Sequence, residues 1–147
     1  MGGGRGLVAA PIRRLRWAVL LLNFDPVQGH EQGGERRALV VSYEPLHSAG
    51  MIAVCPVTAA RTDPARPAEV RIPVGEAGQT KPGLILCHQV RTVSLLRARP
   101  EGPVRYLTNA DIRSQVREAL AMHLGLDIPG HSDGASADDC FAPDAAQ

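Results

Sequence analysis

The spacing of apolar residues changes once along the chain, and this change limits the folds that the chain can adopt. From residue 17 to residue 107, apolar residues come in short runs separated by loops rich in glycine and proline, and from residue 108 they recur at helical spacing. Short runs predict strands, and the helical period predicts a helix. Because no helical segment alternates with the strands, a parallel α/β fold is disfavoured. We expect a mainly β protein, an open barrel or curled sheet, with one C-terminal helix.

The strand predictions rest on two patterns. Residues 17–24 form a continuous apolar run, which is typical of a strand buried on both faces. Residues 68–74 alternate apolar and polar side chains, as a half-buried strand does. Residues 84–93 are expected to form a strand that bends in the middle. The predicted strands are residues 17–24, 37–43, 51–57, 68–74, 84–93 and 104–107.

The C-terminal helix carries signals at both of its ends. Thr108 followed by Asp111 resembles a capping box, in which Thr108 is the N-cap and Asp111 reaches back to it. Gly125 is a typical C-terminal stop, because glycine adopts the left-handed backbone that ends many helices. We therefore expect the helix to begin after Thr108 and to end at Gly125.

Both ends of the chain differ in composition from the middle. Residues 1–16 are rich in glycine and arginine, and residues 129–147 are rich in serine, aspartate, alanine and glycine. Neither segment has a core-forming pattern, so we predict a disordered leader, a single domain over residues 17–128 and a disordered acidic tail. The net charge is +1, so the overall charge does not indicate a nucleic-acid-binding protein, and any anion site must be local.

The residue pattern disfavours most metal and cofactor chemistry. The five histidines and three cysteines lack the spacing of zinc ligands, and the chain has neither a P-loop nor a nucleophile elbow. We expect no metal and no cofactor. The odd number of cysteines favours a reducing compartment, with Cys55 and Cys87 as buried thiols. The apolar run that ends at Asn23 is too short for a signal peptide or a membrane span, so we expect a cytoplasmic protein.

Two residues form a candidate site for a phosphate. A glycine-rich loop ends in Arg36 and leads directly into a strand, and one strand later Thr58 stands at a strand end. Adjacent antiparallel strands would bring Arg36 and Thr58 to one rim of the sheet. Arginine binds phosphate with two parallel hydrogen bonds, and a threonine hydroxyl can donate to a phosphate oxygen or contact a ribose. Taken alone, Arg36 and Arg37 are more often a solvated pair, and Thr58 a turn residue.

Three sequence motifs in order resemble one protein family. Residues 23–42 read NFDPVQGHEQGGERRALVVS, residues 56–58 read PVT, and residues 88–92 read HQVRT. The MazF/PemK family has an F-D-P strand end, a G-S-E-Q-G-G-x-R-P loop, a P-[ILVC]-T element and a later D-Q-[IV]-[RK]-[ST] strand. The resemblance covers about residues 19–127, and the order of the motifs is more specific than any one of them.

The resemblance implies both a fold and an activity. Members of this family adopt an SH3-like small barrel, the plasmid-maintenance toxin fold that CcdB-type toxins share. They are toxins of type II toxin–antitoxin systems that cut single-stranded RNA at specific sequences without a metal. They act as homodimers and are inhibited by a cognate MazE-like antitoxin. The family's catalytic arginine and threonine fall on Arg36 and Thr58. Since DNA lacks the 2′-hydroxyl nucleophile, it is not expected to be a substrate.

Further residues near these motifs are candidates for RNA binding. Phe24 is either a stacking platform for an unpaired base or a core residue, and Gln32 and Gln89 are candidates for reading base edges. Ser42 either supports the site or is merely structural, and Glu31 and Glu35 are candidate general bases by proximity alone. The RNA-binding candidates are Phe24, Asp25, Glu31, Gln32, Ser42, Gln89 and Arg91.

The chain departs from the family pattern in two motifs. Arg37 stands where the family has proline, which permits a register in which Arg37 takes part in the site. His88 stands where an acidic residue is usual, which would alter sequence preference or pH response. Two alternatives therefore stay open, a gyrase-inhibiting toxin of the CcdB kind and an inactive member of the family.

Overall fold

The computed structural model describes residues 14–99 and 102–126. Residues 1–13 of the predicted leader and the whole of the predicted tail, residues 129–147, lie outside the described part, as does Cys140. The last leader residues contact the domain. Leu15 is buried among apolar side chains of the sheet, and the Tyr106 hydroxyl donates to the Arg14 carbonyl at 2.7 Å.

The described residues form a mainly β structure that ends in one α-helix, as the sequence predicted. The predicted strand at residues 84–93 is two strands separated by a short 3-10 turn at Cys87–Gln89, so its bend is confirmed. The elements are β1 (Ala18–Asn23), β2 (Glu35–Val40), β3 (Met51–Thr58), β4 (Glu69–Ile72), β5 (Gly83–Leu86), β6 (Arg91–Ser94), β7 (Ala98–Arg99), β8 (Arg105–Tyr106) and α1 (Ala110–Leu124).

The strands pair antiparallel along one path, in the order β4-β5-β3-β2-β1-β7, while β6 pairs with β3 and β8 with β1. Strand β3 changes partner along its length. Its residues as far as Pro56 pair with β2, and Val57 and Thr58 pair with β5. Among the described strands this path does not close into a complete barrel. The barrel-like fold is therefore an open sheet that turns a corner at β3.

The central strands are buried on both faces because successive side chains point in opposite directions. On one face, Leu39 and Cys55 pack in a cluster that includes Val116 of α1. On the other face, Val40 packs in a cluster with Phe24. The prediction that the first strand is buried on both faces is confirmed, since β1 contributes to both clusters. The helix lies against β4 and the Cys87–Gln89 turn, which fixes the edge of the sheet beside the candidate site.

The predicted N-cap of α1 is one residue too early. The N-cap is Asn109, whose side-chain oxygen accepts from the backbone N–H of Asp111 and Ile112 at 2.9 and 3.1 Å. Thr108 is instead committed to a tertiary contact, because its backbone N–H and its hydroxyl both donate to the Glu76 carboxylate. The Gly125 stop is confirmed, with a left-handed φ of 69°.

Two thiols are buried inside the domain, as predicted. Cys55 and Cys87 are fully buried and carry free thiols. A hydrogen bond to Cys87, together with burial, raises the pKa of the Cys55 thiol well above its ordinary value. Both therefore behave as small apolar side chains of the core. Among the helices in the described ranges, none has the length and apolar character needed to cross a bilayer.

Candidate active site

The β2–β3 register brings Arg36 and Thr58 to one edge of the sheet. The last pair between these strands joins Ala38 to Pro56, and Arg36 and Thr58 each lie two residues, about 7 Å, beyond it. Both residues are half-buried. By strand alternation both side chains belong to the face that carries Ala38 and Val54. The two residues therefore share an edge and a face.

Both candidate catalytic side chains are held by local hydrogen bonds. The Arg36 Nε donates to the Gly33 carbonyl at 3.0 Å, a bond that leaves the two terminal nitrogens of the guanidinium for a ligand. The Thr58 hydroxyl accepts from the Ala60 backbone N–H at 3.1 Å and keeps its own proton for donation. The pair can thus donate hydrogen bonds to an anion at the sheet edge.

The loop between β1 and β2, residues 24–34, is closed at its base. Asp25 accepts from the Gly34 backbone N–H at 2.8 Å, and the Phe24 backbone N–H donates to the Gly34 carbonyl at 2.9 Å. A Cβ on Gly33 would come within 2.8 Å of both the Asp25 carboxylate and Val27. Asp25 therefore closes the base of this loop, and a side chain at position 33 would force Asp25 or Val27 to move.

The tip of the same loop is fastened to the Cys87–Gln89 turn. The Gln32 backbone N–H donates to the Gln89 side-chain oxygen at 2.8 Å, and the Gln89 side-chain nitrogen donates to the His30 carbonyl at 3.2 Å. The Gln89 amide is thus occupied by the loop rather than presented to a base edge. Gln89 therefore positions the tip of the loop.

Phe24 does not offer a stacking platform, which corrects that alternative from the sequence. Its ring is 0% exposed because it lies in the cluster below the loop. The Arg91 guanidinium lies 5.5 Å from the centroid of the Phe24 ring and donates to the Phe24 carbonyl at 3.4 Å. Phe24 therefore supports Arg91 from the core side, and Arg91 is the member of this pair that reaches the cleft described below.

Two other RNA-binding candidates, Ser42 and Glu31, make hydrogen bonds within their own part of the fold. The Ser42 hydroxyl accepts from the Ala53 backbone N–H at 3.0 Å and bonds the His47 ring at 2.6 Å. Ser42 follows the end of β2 opposite to Arg36, so the structure does not bring these two together. The Glu31 carboxylate accepts from the Gln28 backbone N–H at 2.6 Å, which ties it into the loop.

The alternative register involving Arg37 is wrong. Arg37 pairs with Leu21 of β1 and, by alternation, points to the face opposite Arg36. There it lines a separate cavity of about 250 Å³ together with Arg99 and Arg105. Arg37, which stands where the family has proline, therefore lies on the face of β2 opposite to Arg36.

Two neighbouring cavities lie beside the loop tip, and we call them together the loop cleft. The cavities have volumes of about 330 and 430 Å³ and share His30, Gln32, His88 and Gln89. One cavity reaches Pro56 and Arg91, close to Thr58 in the chain. The remaining lining residues are Glu31 and Val90 in the first cavity and Arg61, Arg66, Glu69 and Leu86 in the second.

His88 lies in the wall of both cavities. Burial lowers the pKa of its ring below the ordinary value for histidine, so the neutral ring is favoured near neutral pH. Its Nδ1 is buried with no hydrogen-bond partner among the described residues. The cleft therefore places a neutral ring where the family usually has an acidic side chain. In the described ranges, no group of three or more His, Cys, Asp or Glu residues could hold a metal ion.

Sequence reasoning missed an ion cluster in the second cavity. Arg61 binds the Glu69 carboxylate with two bonds of 3.0 and 2.7 Å, and Arg66 adds one of 3.1 Å. The hydrogen bond from Arg61 is the main reason that the pKa of Glu69 falls from 4.5 to about 2. The spacing of eight and three residues was visible in the sequence, but the burial of Glu69 was not.

Because of the ion cluster around Glu69, we expect the free energy of unfolding to depend on pH in the acidic range. Because the pKa of Glu69 is lower in the folded chain than in the unfolded one, its stabilisation is complete above pH 4.5 and is lost as pH falls toward 2. Urea unfolding between pH 5 and pH 2.5 should show a steeper loss of unfolding free energy in the natural protein than in Glu69→Gln. Asp63→Asn, which alters an exposed partner of Arg71, should keep the steep loss. Parallel curves for the natural protein and Glu69→Gln would contradict the assignment.

Comparisons with known proteins agree on one family. The sequence model described as "PemK-like, MazF-like toxin of type II toxin-antitoxin system" matches residues 15–124. The endoribonuclease toxin ChpB of Escherichia coli K12 is 39% identical over 82 residues, which are 54% of this chain and 69% of ChpB. These matches favour the ribonuclease over the gyrase inhibitor.

Solved structures give the same result. MazF of Deinococcus radiodurans is 30% identical, with a TM-score of 0.64 over 78% of this chain and 99% of that one. A MazE–MazF structure from the same organism is 30% identical, with a TM-score of 0.59 over 79% and 99% of the two chains. The Mycobacterium tuberculosis toxin MazF-mt6, at 17% identity and a TM-score of 0.59 over 76% and 99%, shares the fold.

Proposed function

This chain belongs to the PemK- and MazF-like toxins of type II toxin–antitoxin systems and is an endoribonuclease, and we propose that Arg36 and Thr58 form its catalytic site. The observation that supports this site is the β2–β3 register, which gives the two side chains one edge and one face of the sheet. The proposed substrate is single-stranded RNA, cut at a specific sequence without a metal.

The proposed chemistry uses the substrate's own nucleophile. The ribose 2′-hydroxyl attacks the adjacent phosphorus in line, a P–O bond forms, and the bond to the 5′-oxygen breaks. The products are a 2′,3′-cyclic phosphate and a 5′-hydroxyl. Arg36 would stabilise the negative charge that develops on the phosphoryl oxygens. Its guanidinium has N–H donors and no acceptor, so it serves as a donor rather than a base. Thr58 would orient the 2′-hydroxyl or a phosphate oxygen for the attack.

The proposed partners follow from the family. One of the solved relatives is a MazE–MazF structure, and we extend this to a MazE-like antitoxin for the present chain. We also propose that the chain acts as a homodimer in the cytoplasm, where mRNA and an antitoxin are both available. The match to the family model and to ChpB supports these proposals.

A cleavage assay tests the proposed function. Long single-stranded RNA is incubated with the protein in EDTA without ribosomes, and the new 5′ ends are mapped. We expect discrete 5′-hydroxyl ends, and no cut where the nucleotide on the 5′ side of the mapped bond carries 2′-deoxyribose. Thr58→Val should slow cleavage about tenfold to a hundredfold, which is at or below the usual effect of removing one positioned donor. Thr62→Val alters an exposed threonine in the following loop and should not slow it.

Three results would count against the proposal. Cleavage that requires a divalent metal would contradict the chemistry, and cleavage of the bond directly 3′ of a 2′-deoxy nucleotide would contradict the nucleophile. Failure to cut any RNA sequence would instead favour the inactive-member alternative.

A further inference from the structure

The Glu69 cluster is built differently from an ordinary surface ion pair. The Glu69 side chain is 0% exposed, whereas the side chains of Arg61 and Arg66 are 42% and 59% exposed. The carboxylate also accepts from the Ala65 backbone N–H at 2.7 Å. One buried anion thus holds two arginines at the wall of the loop cleft, with their outer edges open to solvent.

The cluster has a surplus of positive charge and of donors. Two guanidinium groups face one carboxylate, which is ionised at neutral pH because its pKa is about 2, so the cluster carries a net charge of about +1. The bonds to Glu69 and to the Asp63 carbonyl use Nη1 and Nη2 of Arg61 and Nη1 of Arg66. They leave Nε of both arginines and Nη2 of Arg66 for an anion. A buried carboxylate that merely needed neutralising would require only one arginine.

The position of the cluster connects it to the proposed catalytic site. Thr58 ends β3, and Arg61 follows three residues later in the same chain segment. Pro56, two residues before Thr58, lines one cavity of the loop cleft, Arg66 lines the other, and Gln89 lines both. A strand of RNA with its scissile phosphate at Thr58 would therefore meet Arg61 and Arg66 if it continued along this cleft.

We infer that Arg61 and Arg66 bind a second phosphate of the same single strand, in the half of the loop cleft that Glu69 lines. Glu69 is the positioning residue that aims both arginines. This inference rests on the proposed function for the location of the scissile phosphate. Arg66 can present two parallel donors, Nε and Nη2, to phosphate oxygens, and Arg61 can add one donor from Nε.

A binding assay tests the second phosphate site without requiring cleavage. The probe is a fully 2′-O-methyl single strand, which cannot provide the nucleophile, and its affinity is measured by fluorescence anisotropy. Arg66→Ala should weaken binding about fivefold to tenfold, as expected for one partly exposed charge-assisted contact. The slope of log affinity against log salt should become shallower by about 0.7, the value for one phosphate of a single strand. Arg66→Lys should recover part of the affinity.

The chain offers a matched control. Arg71 is also in an ion pair, with Asp63, and its side chain is 67% exposed, but it does not line the loop cleft. Arg71→Ala removes the same charge and should leave both the affinity and the salt slope within twofold of the natural protein. An equal loss in Arg71→Ala and Arg66→Ala would overturn the inference, since it would indicate a general effect of net charge.

A length series separates this site from the scissile one. Once the cut is mapped, substrates are shortened stepwise on each side of it. Arg66→Ala and Glu69→Gln should raise KM for substrates that extend beyond the cut on one side, leave kcat unchanged, and have no effect on the shortest cleavable substrate. A uniform effect at every length would overturn the inference, whereas absence of cleavage in all proteins would overturn the proposed function and leave the 2′-O-methyl result standing.

An acidic peptide is the competing ligand for this cluster. A twenty-residue glutamate peptide is titrated into the natural protein and Arg66→Ala. If Arg66→Ala weakens peptide binding but leaves the 2′-O-methyl strand bound as before, the site belongs to an acidic protein segment and the inference is wrong.

Discussion

Replacing Arg36 with alanine is expected to lower the rate of RNA cleavage by about a hundredfold to a thousandfold, the range for removal of one preorganised donor to a transition-state oxyanion. The fold should persist, because Arg36 is half-buried at a strand end and its side chain makes one hydrogen bond to a described residue, the Gly33 carbonyl. Single-turnover cleavage, with the protein in saturating excess over the RNA, measures the chemical step directly. The loss should appear in kcat, since the charge that Arg36 stabilises develops only in the transition state.

Two further variants sharpen this expectation. Arg37→Ala removes the neighbouring arginine, which points to the opposite face of β2, and it should retain nearly full cleavage. Arg36→Lys keeps the charge but loses the Nε bond to Gly33 and the paired donors, so its rate should fall between those of the natural protein and Arg36→Ala. If Arg37→Ala were the inactive variant, the assignment of the catalytic arginine would be wrong.

Replacing Gly83 with alanine is expected to damage both stability and cleavage. A Cβ at position 83 would lie 2.3 Å from the Thr58 carbonyl oxygen, closer than non-bonded atoms approach. The β3–β5 pairing must then separate at Thr58, which pairs with the adjacent Leu84. Forced overpacking of this kind destabilises proteins by about 1–3 kcal/mol. Because the atom that must move belongs to Thr58, cleavage should also fall at temperatures where the variant remains folded.

The measurements for Gly83→Ala separate its two effects. Urea unfolding followed by circular dichroism gives the loss of stability, and cleavage is assayed well below the unfolding midpoint. Pro82→Ala, at the exposed residue just before Gly83, is the control and should alter neither quantity beyond experimental scatter. Full activity in a destabilised Gly83→Ala protein would show that Thr58 need not be held against β5.

The sequence predicted the strands and the helix because their signals are local. Alternation and apolar runs depend on a few neighbouring residues, and they located β1 to β6, β8 and α1, whereas the two-residue strand β7 was missed. The helix start was wrong by one residue because Glu76, more than thirty positions away, binds Thr108. A capping pattern does not reveal a competing partner from elsewhere in the fold.

In the candidate site too, the sequence revealed residues that belong to a local motif and did not reveal contacts between distant segments. Arg36 could be found because it ends a glycine-rich loop before a strand. The hydrogen bond from the Gln32 backbone to the Gln89 side chain joins residues 57 positions apart, and no local sequence pattern predicts it. Phe24 was ambiguous for a related reason, since whether an aromatic residue at a strand end is exposed depends on what covers it. The burial of Glu69, which creates the second arginine site, depends likewise on tertiary packing.

The loop between β1 and β2 is fastened at its base by Asp25 and Gly34 and at its tip by Gln89. Its conformational entropy is therefore given up when the chain folds rather than when RNA arrives. Association with RNA then has no loop-ordering step, so the encounter rate should be governed by diffusion and by the attraction of the arginines for phosphate. Differences in affinity among RNA sequences would accordingly appear in the dissociation rates of the complexes.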